Sequence, residues 1–332
     1  MNIGGRDISI GIMVRREFAP EQLVSFARRT EQAGYDELWL VEDTFFSSAI
    51  ASATAALAAT EKITVGIGIM PAVARNPVYA AMELATLARM YPNRLLPGFG
   101  HGMAFWMKQI GAFPKSQLSA LEETTITVKQ LLNGEAVNFD GKEIHISDNA
   151  RLVFPPSHVP PISLGVRGPK SLQMSGRVAD GTILSEFAAP EYARWARQQV
   201  ALGQGSTEAD VSPYHRLTVF AMAYFDDDEV RAFEQAKARV IGAIHNDFID
   251  HQLEPIGLFE QASDMRSRNA LPAEMPDAWV HDLTILGNRQ SIAETIGRFI
   301  DAGADSIVLV PPTDQALAMP NEIGARLMSF LK

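Results

Sequence analysis

Eight strand-like apolar runs, each followed by a helical pattern, order this chain. Runs that are apolar at consecutive positions fit strands buried on both faces, as in a parallel sheet covered by helices. The first run is Ile8 to Val14, and Leu23, Phe26, Ala27 and Thr30 mark one face of a helix over 20–33. "ELWLV" (37–41) precedes an alanine-rich helix over 46–60, and "ITVGIGIM" precedes a helix over 77–91 with Pro77 in its first turn. "RLLPGFG" precedes a helix over 117–132. "ISLGV", "GTILS" and "RLTVFAMAYF" are the fifth to seventh runs, and "DSIVLV" (305–310) is the eighth, with a helical tail behind it. "AGYDELWLV" and "AGADSIVLV" repeat one grammar of helix end, glycine cap, aspartate and strand. Eight such units in 332 residues predict an α/β fold, a (β/α)8 TIM barrel in one domain over 1–332, with a doubly wound sheet as the alternative.

Two stretches break the rhythm and read as insertions after strands 4 and 7. "AVNFDGKEIHI" carries Asp140-Gly141 between alternating runs, a hairpin signal, and "FPPSHVPPI" follows it. After the seventh strand a long helix is expected over 228–253. An irregular segment or lid is expected over 254–282, where Pro255, Pro272 and Pro276 stand. Ile292, Thr295, Ile296, Phe299 and Ile300 then form a helical stripe.

The formal net charge of −10 argues against nucleic-acid and anionic-membrane partners. No cysteine is present, so disulfides, thiolate nucleophiles and Cys-ligated metals are excluded. The seven histidines are scattered without metal-ligand spacing, and no metal is expected. The first residues read as strand rather than leader, and no run is long enough to span a bilayer. The expectation is a soluble, cytoplasmic protein.

Function in a barrel gathers at the carboxyl ends of the strands. Those ends place Met13 to Glu17, Glu42 and Asp43, Gly68 and Ile69, His101, Gly165 to Lys170, and Ser185 and Glu186 around one mouth. Glycines inside "VGIGIMP" and "GFGHG" suit either close packing or approach of a ligand to the backbone. In "LGVRGPKSL", Gly168 is placed as an N-cap and Pro169 as the first helical residue, with Arg167 and Lys170 adding charge. The free amides of such a turn form an anion site, although the same residues also suffice to start a helix.

Several segments together resemble the bacterial-luciferase-like flavin and deazaflavin oxidoreductases. These are "LWLVED", "GIGIMPAVARNPVYAAMELATLARM", "NRLLPGFGHG", "ISLGVRGPKSLQMSGRVADGTIL" and "DAGADSIVLVPP". The pattern is most like coenzyme F420-dependent reductases of the methylenetetrahydromethanopterin reductase type. The resemblance implies a barrel with insertions, a homodimer, and F420 as cofactor with FMN as the alternative. It implies hydride transfer at the deazaflavin C5 to or from a small organic substrate. It places a cis peptide at Gly68–Ile69 behind the ring, and the cofactor phosphate on Gly165, Val166, Arg167, Gly168, Pro169 and Lys170. Met13, Asp43, His101 and Ser185 complete the cofactor pocket, with Asp43 and His101 as the catalytic candidates. Thr44 stands where many relatives carry a histidine, and "MAFWMK" offers no glutamate after the fourth strand, leaving Glu17 and His101 as substitutes.

An acidic cofactor tail favours a basic rim, for which Arg15, Arg16, Arg75, Arg167 and Lys170 are candidates. Phe45, Phe46, Trp106, the hairpin and the segment around Trp279 are expected to shape the substrate space. Competing readings are an FMN-dependent monooxygenase and a barrel that binds a flavin without catalysis. An isomerase or aldolase barrel would need a lysine or glutamate base at a strand end, and none stands out.

Overall fold

The computed structural model describes residues 2–3, 6–205, 214–320 and 324–331. Eight parallel strands form its centre: β1 (Ser9–Met13), β2 (Glu37–Leu40), β3 (Thr64–Pro71), β4 (Leu95–Gly100), β5 (Ser163–Gly165), β6 (Gly181–Leu184), β7 (Arg216–Phe225) and β8 (Ser306–Val310). They pair in the order β6-β5-β4-β3-β2-β1-β8-β7, and β7 also pairs with β6, so the sheet closes on itself. Closure excludes the doubly wound alternative and makes the fold a (β/α)8 barrel.

The helices follow as the pattern predicts. They are α1 (Leu23–Gln32), α2 (Ala49–Ala59), α3 (Pro77–Met90), the short α4 (Ala104–Gln109), α5 (Gln117–Leu132), α6 (Pro169–Val178) and α7 (Pro190–Gly205). The first insertion is a hairpin pairing Val137–Asp140 with His145–Ala150. Glu123 of α5 accepts the amides of Lys142, Glu143 and Ile144, which ties the hairpin tip to that helix.

The second insertion differs from expectation. The long helix ends early: α8 covers Glu229–His245, the chain turns through Asp247 at a φ of 51°, and α9 resumes at Asp250–Leu253. The stretch expected to be irregular is helical, with α10 (Phe259–Ser267), α11 (Leu271–Glu274) and α12 (Asp277–Leu283). Its prolines start helices instead of breaking them: Pro272 lies in the first turn of α11, and Pro276 is the N-cap of α12. A strand at Ile285–Gly287 then pairs with the far end of β7. The chain continues through α13 (Arg289–Asp301) and β8 to α14 (Gly324–Leu331). Among the described residues, no helix is long and apolar enough to cross a membrane.

Alternation along each strand decides which side chains enter the barrel. At the amino-terminal end, the Glu37 carboxylate accepts from Trp39 Nε1 at 2.7 Å, from Ser306 Oγ at 2.8 Å and from the Arg216 guanidinium. Glu37 is 2% exposed, and these three donors replace the water that burial removes from its carboxylate. Above it the Trp39 indole meets Phe220 edge-on at 5.4 Å. A β-carbon at Gly66 would lie 2.3 Å from that indole, one at Gly11 3.0 Å, and one at Gly68 2.7 Å from Phe220. The glycines of "VGIGIM" thus clear room for a tryptophan in a narrow barrel.

Candidate active site

The next inward layer is built on β3. The Gly68–Ile69 peptide is cis, and the β3–β4 register slips between Ile67 and Met70, forming a bulge. The bulge turns Ile69 toward three glycines of neighbouring strands. Added β-carbons would lie 3.3 Å from Ile69 at Gly98, 2.8 Å at Gly100 and 2.6 Å at Gly165. Gly165 therefore serves Ile69 packing, so only part of the turn after β5 is left to need another explanation.

That part begins at Gly168, the N-cap of α6, with Pro169 in the first turn. A β-carbon on Gly168 would meet nothing within 4 Å, and its φ of −81° needs no glycine. The Leu172 amide bonds back to Gly168, whereas the Lys170 and Ser171 amides have no partner among the described residues. Val166 is buried, and the Tyr192 hydroxyl holds the Arg167 carbonyl at 2.7 Å. The Arg167 guanidinium turns away to the Phe248 carbonyl at 2.6 Å, with its carbon 5.1 Å from the Phe248 ring centre.

His101 follows β4 and points at the same turn, with Nε2 3.4 Å from Ser171 Oγ. Its Nδ1 is buried without a well-formed hydrogen bond. Burial holds the His101 pKa below the ordinary imidazole range; the Gln117 backbone opposes this and the Arg167 charge adds to it. Met13 is buried at the inward end of β1. Ser185, past the end of β6, accepts from Gln252 Nε2 at 3.2 Å, and the same amide donates to the Glu186 carbonyl at 2.8 Å. Gln252 is fully buried and its Oε1 has no partner, so a residue of the second insertion reaches the mouth with a spare acceptor.

Asp43 follows β2 and pairs with Arg16 at 2.9 Å. Arg16 also lies over the Phe46 ring at 5.1 Å. Partial burial would raise the Glu17 pKa, but its own backbone amide and Arg15 bring the carboxyl below the usual range, which weakens it as a general base. The basic rim expected from the sequence is largely spent on such pairs. Arg75 grips Glu42 with two bonds at 2.7 and 2.9 Å and approaches Glu83 at 3.3 Å, and Arg15 faces Glu17 at 3.3 Å. Of the five candidates, Arg167 and Lys170 have no ion-pair partner among the described residues, and the Arg167 guanidinium is tied to the Phe248 carbonyl. Glu42 also caps α2 through the Ala49 amide at 3.1 Å, so the Glu42-Asp43 pair is committed, not merely solvated.

Exposed aromatic rings flank this mouth. Phe46 lies 6.4 Å and Phe105 4.8 Å from the Trp106 ring, and Phe45 is 67% exposed. Trp279, expected beside them, is instead buried inside the second insertion. A groove of ≈ 500 Å³ between α8, α12 and α13 lies outside the barrel and away from these residues. Among the described residues, no group of three or more His, Cys, Asp or Glu side chains could hold a metal ion.

Residues 7–306 match the family model described as luciferase-like monooxygenase. A 5,10-methylenetetrahydromethanopterin reductase of Methanolobus tindarius is 25% identical over 309 residues, covering 89% of this chain and 93% of its own. An F420-dependent glucose-6-phosphate dehydrogenase of Kineococcus radiotolerans is 24% identical over 346 residues, covering 99% and 98%. Among solved structures, the coenzyme F420-dependent tetrahydromethanopterin reductase of Methanopyrus kandleri superposes with a TM-score of 0.80 at 21% identity, covering 98% of this chain and all of that one.

Proposed function

The chain belongs to the luciferase-like monooxygenase family, and from that premise we propose that it is an F420-dependent oxidoreductase transferring a hydride between the deazaflavin and a small organic substrate. The observation that carries this reading is Gly168: the protein's own packing and backbone give no reason for glycine there, whereas a phosphate against the turn does. The Kineococcus relative, aligned over nearly the whole chain, is F420-dependent by its name, which favours F420 over FMN.

In this reading Gly168, the Lys170 and Ser171 amides and the Lys170 ammonium hold the phosphate, with Pro169 fixing the first turn behind them. Val166 and the tethered Arg167 backbone set the height of the turn. Ile69 backs the ring from the bulge, and Met13, Ser185 and His101 line its edges. F420, when bound, supplies hydride transfer at C5, so the chain's share is orientation, shielding from water and proton handling. His101 stands beside the turn through Ser171, and Asp43 stands at the mouth paired with Arg16.

Fluorescence titration of the apo protein with oxidised F420 and with FMN tests the proposal. Micromolar binding of F420 but not FMN supports it. Tighter binding of FMN moves the protein to the flavin monooxygenases, and binding of neither by folded protein overturns both enzyme readings.

A further inference from the structure

Ser185 and Gln252 meet at the carboxyl end of β6. Thr182 points out of the barrel, since its Oγ1 lies 2.8 Å from Ser175 Oγ on α6. Ile183 points in, where a β-carbon at Gly98 would lie 2.7 Å from its Cδ1 and 3.3 Å from Ile69. By alternation Ser185 is the next inward position, one step above the layer that holds the bulge. Gln252 comes from outside the barrel, on α9 of the second insertion. Two barrel turns hold that segment. Arg167 donates to the Phe248 carbonyl at 2.6 Å, and Gln252 itself donates to Ser185 and to the Glu186 carbonyl.

Each of the two side chains keeps one unused function. Both amide hydrogens of Gln252 are spent, on Ser185 Oγ at 3.2 Å and on the Glu186 carbonyl at 2.8 Å. That carbonyl can only accept, so it fixes which end of the side-chain amide is nitrogen. The remaining atom, Oε1, is buried without a partner in a fully buried residue. Ser185 receives a hydrogen bond, and its own proton has no acceptor among the described residues. A buried acceptor left open in this way is costly unless a molecule outside the chain completes it.

We propose that Ser185 and Gln252 form a substrate subsite for a neutral amide edge, a carboxamide or lactam that presents N–H beside C=O. This deepens the oxidoreductase reading above and rests on the mouth being its reaction site. The N–H donates to Gln252 Oε1, and the C=O accepts the Ser185 proton. A carboxylate or a phosphate dianion would set acceptor against acceptor at Oε1, and an ammonium would leave the Ser185 proton unanswered. A hydroxyl must serve both from one oxygen, whereas an amide edge gives each its own atom. The subsite falls to the substrate because of where Gln252 stands. In the reading above Ile69 backs one face of the ring from the bulge, and Gln252 belongs to the insertion that reaches the mouth above the strand ends. Gln252 sets specificity by binding, and no bond to the reacting carbon is made or broken on it.

The test titrates the full-length protein with benzamide and follows the NMR signals of the probe. The wild-type protein should bind benzamide about fivefold or more tighter than N,N-dimethylbenzamide, which lacks the N–H, and than benzoate or benzyl alcohol. Gln252→Met should erase the preference over N,N-dimethylbenzamide, a ratio that a shift of the insertion alone would not change. Ser185→Ala should weaken benzamide about fivefold and keep that preference, and it serves as the second variant if Gln252→Met does not fold. Equal binding of the probes by the wild type, benzyl alcohol bound as tightly as benzamide, or an unchanged preference in folded Gln252→Met overturns the proposal. Saturating oxidised F420 should leave benzamide bound. Displacement by F420 would give the pair to the cofactor ring and overturn the substrate assignment. The benzamide comparison itself needs no cofactor. Failure to bind F420 would therefore count against the hydride-transfer reading, whereas loss of the benzamide preference would count against the amide subsite.

Discussion

The Trp39 indole occupies the space that a β-carbon at Gly66 would take, 2.3 Å from its ring carbons. The indole cannot retreat, because its Nε1 is fixed to Glu37 and its edge meets Phe220. Gly66→Ala is therefore an overpacking change in a closed barrel, and it should destabilise the protein by about 1–3 kcal/mol or more. Denaturant unfolding measures this directly. A variant as stable as the parent would mean that the indole moves freely, contrary to the packing described.

Gly168 presents the opposite case, since a side chain there meets no protein atom within 4 Å. Gly168→Asp should leave the unfolding free energy within about 0.5 kcal/mol of the parent. It should also abolish F420 binding, because a carboxylate would then stand where the proposed function places the cofactor phosphate. Unchanged affinity by fluorescence titration would remove the phosphate role from this turn.

His215 predicts an acid sensitivity unrelated to catalysis. Its Nε2 lies 2.8 Å from Thr182 Oγ1, which in turn lies 2.8 Å from Ser175 Oγ. Burial first, then the Arg197 charge, lowers its pKa from 6.5 to about 4 in the folded protein. Above the unfolded value the ring is neutral in both states and contributes no pH dependence. Below it, the unfolded chain takes up a proton that the folded chain refuses, so stability falls as pH falls toward 4. Between neutral pH and the folded pKa the loss should be about 2–3 kcal/mol. Urea unfolding across that range should show a steeper decline for the parent than for His215→Gln, and parallel declines would refute the assignment.

Much of the scaffold was legible because burial on both faces leaves unbroken apolar runs in the chain. α5 and β7 begin and end where the pattern places them, and Gly168 and Pro169 stand at the N-cap and first turn as read. The division of labour among the glycines was not legible. Whether Gly66 and Gly165 clear room for a side chain or for a ligand depends on Trp39 and Ile69 arriving from other strands. The basic rim failed for a related reason, since charge counts along the chain do not reveal that Arg75 closes on Glu42. Gln252 lies 67 residues from Ser185, at the end of the stretch expected to be one long helix, and no local signal connects them.

β7 outruns the barrel, and its last residues, Ala223 to Phe225, pair with Ile285 to Gly287. The Asp226 amide then reaches the Gly287 carbonyl at 3.3 Å. The second insertion thus leaves and re-enters the barrel through adjoining positions, like a drawer in its frame. Its length and content can change without disturbing the pairing of the eight strands, because the entropy of closing a loop grows only slowly with its size. Gln252 and Phe248, which reach the mouth, ride on this segment. A lineage could exchange the roof over the mouth while inheriting the floor unaltered.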